Sequence, residues 1–276
     1  MRSARQDIPE ERAKEIIRLA DSIADERCPT GRVDLKAIIP EDVEVVYDHY
    51  GDEFEGKLEF ENGRFYVHCN LDSGNLPESS RGRFTISHEL GHYFILSHRH
   101  ALTLGQVDDG SEDSLMEREA NLFASHLLMP TARFKAALAL PRARKGLGGI
   151  IDLATKFEVS LTCVAVRYVV DEVEPSVVIK WLAESFEWKW FSKQFHARNY
   201  TEIHKDSRAL PKNSPTQMCI SAGHTQSGVI DRKVAAATWF RNMPPPHDLA
   251  VLEEAMTLGR FGGLTLLTLP DGRFPR

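Results

Sequence analysis

The sequence predicts an α+β fold in two parts, on three observations. Apolar residues recur at helical spacing near the N-terminus, around residues 83–96 and across 114–130. A short hairpin pattern interrupts these helices, and the part of the chain after Asp171 carries aromatic-rich runs that read as strands. The expected division is a compact domain with a small mixed sheet over residues 1–170 and a C-terminal α/β accessory region over 171–276, with Asp171 to Pro175 as the linker.

Between Pro9 and Glu26, Ala13, Ile16, Ile17, Ala20 and Ile23 make one face of an amphipathic helix that ends before Cys28-Pro29. A short helix from Val33 is closed by Pro40, and Val43 to Tyr47 alternates as a strand. Leu58-Glu59-Phe60 and Phe65 to Cys69 flank Glu61-Asn62-Gly63, the signal of a β-hairpin. Phe65 to Asn70 is expected at a sheet edge, with an internal or covered strand as the competing reading. A polar connection with a cap at Ser79 or Ser80 leads into the helix RFTISHELGHYFIL. The loop GQVDDGSEDS follows, then the helix SLMEREANLFASHLLMP, stopped by Pro130.

Residues 150–168 have a helix, turn and helix pattern with Val159-Ser160 at the turn, but the second helix is sparsely basic. A helical hairpin is therefore favoured over DNA reading. Further on, Val177 to Leu182, Trp188 to Phe195 and Leu264 to Leu269 read as strands, and Asp231 to Phe240 and Asp248 to Leu258 as helices. Trp181, Trp188, Trp190 and Trp239 are expected to build an aromatic core here.

Composition narrows the function. The net charge of −6 argues against a general polyanion-binding surface, so nucleic acid is not the default partner. Four scattered cysteines form no CxxC pair and suit a reducing compartment. The charged N-terminus lacks a signal-peptide core and no apolar run is long enough to span a bilayer, which predicts a cytoplasmic protein with no membrane partner.

The chemistry lies in HELGH. Residues four apart share a helix face, so His88 and His92 present two imidazoles to one point and Glu89 lies beside them. That is the HExxH arrangement of zinc hydrolases; the competing reading is a core helix whose histidines bond to backbone. Glu117, on one face with Asn121, is a candidate third ligand for a single zinc ion. Ser114-x-x-Glu117 also fits a capping box, and Glu119 is the alternative ligand, turned away from the Asn121 face.

A strand followed by RFTISHELGHYFILSH, a variable loop and EREANLFASHLLMP resembles the ImmA/IrrE metallopeptidases, the DUF955 or M78 peptidase group. The resemblance covers about Val33 to Tyr168. It implies a gluzincin-like fold, His88, His92 and Glu117 as zinc ligands, Glu89 as the catalytic carboxylate and Asn121 as a residue orienting a ligand histidine. It also implies a helix-turn-helix repressor or antitoxin-like protein, encoded nearby, as the partner that is cut. Oxyanion or substrate contacts are left among Tyr93, His68 and His126, with His98 and His100 as further candidates. The leading expectation is a cytoplasmic zinc endopeptidase of narrow specificity. The competing one is a metal-binding regulatory protein that recognises such a partner without cutting it.

Overall fold

The computed structural model describes residues 8–105, 114–141, 143–182, 185–205, 210–222, 228–242, 248–272 and 274. It is an α+β protein, and the chain separates into two compact units. One comprises residues 1–141 and 154–160, the other residues 142–153 and 161–276. The sequence places residues 150–168 wholly before its boundary at 170, whereas these units divide them.

The first unit opens with α1 (Glu10–Arg27), whose buried Ile16, Ala20 and Ala24 form the predicted stripe. Next come α2 (Leu35–Ile38), β1 (Val43–Asp48), β2 (Gly56–Glu61) and β3 (Arg64–Asn70). β2 and β3 are the expected hairpin: Asn62 and Gly63 have φ of 52° and 81°, as a two-residue turn matching the strand twist requires. The sheet order is β1-β3-β2, with β3 parallel to β1 and antiparallel to β2. This corrects the edge expectation. Phe65 to Asn70 is the central strand, because β1 pairs in parallel with the side away from β2, and β2 is left at the edge.

Helix α3 (Ser80–Phe94) carries HELGH, and α4 (Leu96–Thr103) follows after a break at Ile95. Helix α5 (Leu115–Leu128) carries EREANLFASHLL. The GQVDDGSEDS loop lies, apart from its terminal residues, outside the described residues. Pro130 ends α5 but also caps α6 (Thr131–Leu138), a helix not anticipated. The α3–α5 contact is dry: Leu90, Phe123, Ala124 and Leu127 are all fully buried. Burying each of the larger side chains contributes roughly 1.5–3 kcal/mol.

α7 (Gly146–Phe157) and α8 (Leu161–Val170) bracket the predicted Val159-Ser160 turn. In the second unit, β4 (Ser176–Leu182), β5 (Ser185–Phe191), β6 (Ile230–Ala235), β7 (Ala250–Thr257) and β8 (Gly263–Thr268) form an antiparallel sheet of order β5-β4-β8-β7-β6. The two helices expected over 231–240 and 248–258 are strands β6 and β7, the first running into a short turn of 3-10 helix. The strand expected to reach Phe195 stops at Phe191, and Lys193–Ala197 is helix α9. α10 (Pro215–Ala222) is an addition. Trp181 and Trp239 are fully buried in the core of this sheet, while Trp190 is exposed.

Candidate metal centre

Ser79 caps α3, its Oγ accepting the Gly82 amide at 3.0 Å. Helical geometry then stacks His88 and His92, whose Nε2 atoms approach to 3.2 Å. Across from them α5 starts at Ser114, whose Oγ accepts the Glu117 amide at 3.2 Å, so the predicted cap is real. The Glu117 carboxylate is nevertheless directed at the histidines, with Oε2 3.0 Å from His88 Nε2 and Oε1 3.3 Å from His92 Nε2. What brings the two helices this close is Gly91. A β-carbon there would lie 3.1 Å from Ala120 Cα and 3.3 Å from the Ala120 carbonyl oxygen.

These distances test the donor set. One nitrogen, one nitrogen and one carboxylate oxygen, each about 2.0–2.1 Å from a tetrahedral zinc ion, would lie about 3.3 Å from one another. His88, His92 and Glu117 are the three-residue group among the described residues that could hold a metal ion. Two imidazole nitrogens pointing at each other at 3.2 Å are a poor pair unless a proton or a cation lies between them. Glu117 is pulled well below the usual carboxylate range, burial being outweighed by the two histidines. Burial pulls His88 down, but hydrogen bonding to Glu117 and the Glu89 charge carry it above its ordinary value. His88 Nδ1 lies 3.1 Å from Asn121 Oδ1. If that contact is an N–H donation, Nε2 keeps its lone pair for a cation.

Glu89 turns from the helix toward the edge strand. It is buried, and the Leu58 amide of β2 hydrogen-bonds to its carboxylate. Burial raises its pKa, partly opposed by His88 and His92. Gly56 makes room for this carboxylate. A β-carbon at Gly56 would sit 2.8 Å from Glu89 Oε1 and 2.3 Å from Thr85 Cγ2. Beneath, the Cys69 thiol is pushed up to about 12 by burial and by Glu89, which keeps it protonated.

Glu119 is held elsewhere. Arg12 of α1 clamps both its oxygens, at 3.0 and 2.7 Å, and His98 Nε2 lies 3.0 Å from Oε2. The remaining polar candidates are not brought to the cluster. Tyr93 gives its hydroxyl to Asp42 at 2.8 Å, and buried His126 faces Thr131 Oγ1 at 3.1 Å. His68 bonds to the Tyr50 hydroxyl at 2.7 Å and lies 3.3 Å from Glu59. The reason is strand alternation: Phe65, Val67 and Cys69 are buried, Phe65 meeting Tyr93 of α3, so His68 faces the opposite side of the sheet. His98 lies behind His92, with ring centroids 5.2 Å apart, and His100 lines a cavity farther along α4. Sequence reasoning missed Gly56 and Leu58, for which a glycine opening a strand was the only signal. It also missed Arg12, for which there was none.

Comparison with known proteins adds the family. Residues 75–168 match the model of the M78 peptidases, described as the IrrE N-terminal-like domain. This stretch is similar to the IrrE N-terminal-like domain. It spans α3 to α8 and includes His88, Glu89, His92, Glu117 and Asn121. No curated protein matches the chain by sequence. A solved structure, a Mycobacterium tuberculosis transcriptional regulator, shares the fold beyond the IrrE-like domain. It has a TM-score of 0.52 and 14% identity, and the alignment covers 94% of this chain and 87% of that one. Among the described residues no helix is long and apolar enough to cross a membrane.

Proposed function

We propose that this protein is a cytoplasmic zinc endopeptidase of narrow specificity that cuts a regulatory protein. The observation that carries the reading is the convergence of His88, His92 and Glu117 at zinc-ligand spacing with Glu89 buried beside them. His88, His92 and Glu117 would hold one zinc ion, leaving a fourth position for substrate or water. When bound, zinc supplies a Lewis acid that polarises the peptide carbonyl and lowers the pKa of the attacking water toward about 7.

The chain's own residues do the rest. Glu89 takes a proton from the attacking water and delivers it to the departing amine, a transfer its buried position next to His88 suits. The Leu58 amide fixes the direction of the carboxylate. Asn121 holds the His88 ring, and Gly91 keeps α5 close enough for Glu117 to reach both histidines.

The partner is a helix-turn-helix repressor or antitoxin-like protein encoded nearby. The M78 resemblance supports this. Glu89→Gln should retain one zinc ion per chain and slow cleavage of the adjacent gene's product by about 10²- to 10⁴-fold. Zinc-loaded wild-type protein that binds that product and leaves it intact overturns the reading in favour of a non-cleaving regulator.

A further inference from the structure

The free edge of β2 leads from Glu89 to a cavity that the reaction does not use. β2 pairs only with β3 among the described strands, so no described strand lies along its outer edge, where α3 meets Gly56 and Leu58. The Leu58 amide points outward, because it meets the Glu89 carboxylate rather than a strand partner. By strand alternation the backbone groups of Phe60 point outward as well. Leu58 and Phe60 also share a sheet face. Leu58 is buried, and Phe60 packs on Phe65 with centroids 4.7 Å apart, which in turn meets Tyr93 of α3 at 5.0 Å. The face that carries Glu89 is thus the face onto which Phe60 projects.

Phe60 opens onto a cavity of about 640 Å³ whose walls include Phe65, Leu96 and Arg99. Its charges are already engaged: Asp42 accepts the Tyr93 hydroxyl, and the Arg99 guanidinium lies 5.1 Å from the Tyr93 ring centre. Ser97, His100 and Thr103 add polar groups to the wall, and Phe60, Phe65 and Leu96 form its apolar part. Leu96 is 70% exposed and Phe60 38%, so both side chains are accessible to a ligand in the cavity.

We propose that this cavity is the subsite for one large apolar side chain of the peptide substrate, two or three residues from the cleaved bond. The proposal rests on the peptidase reading for its numbering. A peptide added as a strand along β2 places residues two apart beside Leu58 and Phe60, about 7 Å from each other and on one face. The residue level with Leu58 lies at Glu89, and the residue two positions along enters the cavity. Specificity then comes from Phe60 and Leu96, outside the metal cluster.

Two measurements separate this proposal from the peptidase reading. First, the zinc-loaded full chain is incubated with a proteome-derived peptide library and the cut sites are read by mass spectrometry. They should share a large apolar residue at one position two or three residues from the cut, and Leu96→Glu should weaken that preference about tenfold or more. Cut sites without such a preference, or a preference unchanged in Leu96→Glu, overturn the subsite. Second, methyl NMR follows the metal-free full chain titrated with N-acetyl-phenylalaninamide and, as control, N-acetyl-alaninamide. The phenylalanine probe should shift the Leu96 and Thr103 methyl signals and the alanine probe should not. Those shifts with an uncut library keep the subsite and sink the peptidase reading, whereas no shift at Leu96 sinks the subsite whatever the library shows.

Discussion

Gly91 of α3 lies against Ala120 of α5 so closely that a methyl group on Gly91 would press on the Ala120 backbone at 3.1 Å. Neither helix backbone can yield without moving the other. Gly91→Ala gains about 1 kcal/mol of helix propensity but costs about 1–3 kcal/mol through overpacking. The expected result is a small net loss in urea stability together with a weakening of zinc affinity by about tenfold, since the shift carries Glu117 away from the histidines. A chelator-competition titration checks the second part; unchanged affinity would show that the helices can separate freely.

Glu117 and Glu119 are expected to fail in different ways. Glu117→Ala should abolish zinc retention and lower the melting temperature of the metal-free chain, since the two histidines hold its carboxylate well below the usual range. Glu119→Ala should retain zinc but lose about 2 kcal/mol of stability, because it takes the acceptor from buried His98 and two hydrogen bonds from Arg12. Metal analysis and thermal melts on both variants decide it, and zinc loss confined to Glu119→Ala would exchange the two roles.

Gly56→Ala should damage catalysis more than metal binding. The new methyl would collide with Thr85 and with Glu89 Oε1, displacing the general base while leaving His88, His92 and Glu117 in place. Misplacement by about 1 Å can cost about 10² in rate. Kinetics and zinc content measured on the same preparation test this, and an equal loss of both would mean that Gly56 serves the fold.

Glu254 gives the second unit a pH dependence of known sign. Burial, with a further push from Glu174, raises its carboxyl from 4.5 to about 7. Between these values the folded chain holds a proton that the unfolded chain releases, so stability is present below about 4.5 and declines as pH rises through 7. Glu254→Gln removes the ionisation and can keep the acceptor for the Leu147 amide. It should match wild type near pH 4.5 and exceed it above pH 7 by about 3 kcal/mol in chemical denaturation; equal curves at pH 8 would refute the assignment.

The first half of the chain was legible because its signals are local. Asn62-Gly63 dictates a hairpin turn, Ser79 caps α3, and a four-residue spacing aligns His88 with His92. The edge strand was not legible, since it depends on which strand pairs with which, whereas the facing of His68 follows from alternation along Phe65 to Cys69. In the second half, Glu253-Glu254-Ala255-Met256 has helical composition but lies in β7, where alternate residues are buried. Glu253 survives there because Trp239 Nε1 and the Thr216 amide satisfy its carboxylate at 3.0 and 2.9 Å. Those partners lie 14 and 37 residues away, beyond any local pattern.

The clamp between Arg12 and Glu119 joins the start of the chain to the helical turn that also holds Glu117. Ordering that turn is therefore common to docking of the N-terminal helix and to capture of the ion, and thermodynamic reciprocity makes each strengthen the other. Amide exchange in α1 becomes a remote gauge of occupancy, and any factor that peels α1 away would loosen the ion without approaching it.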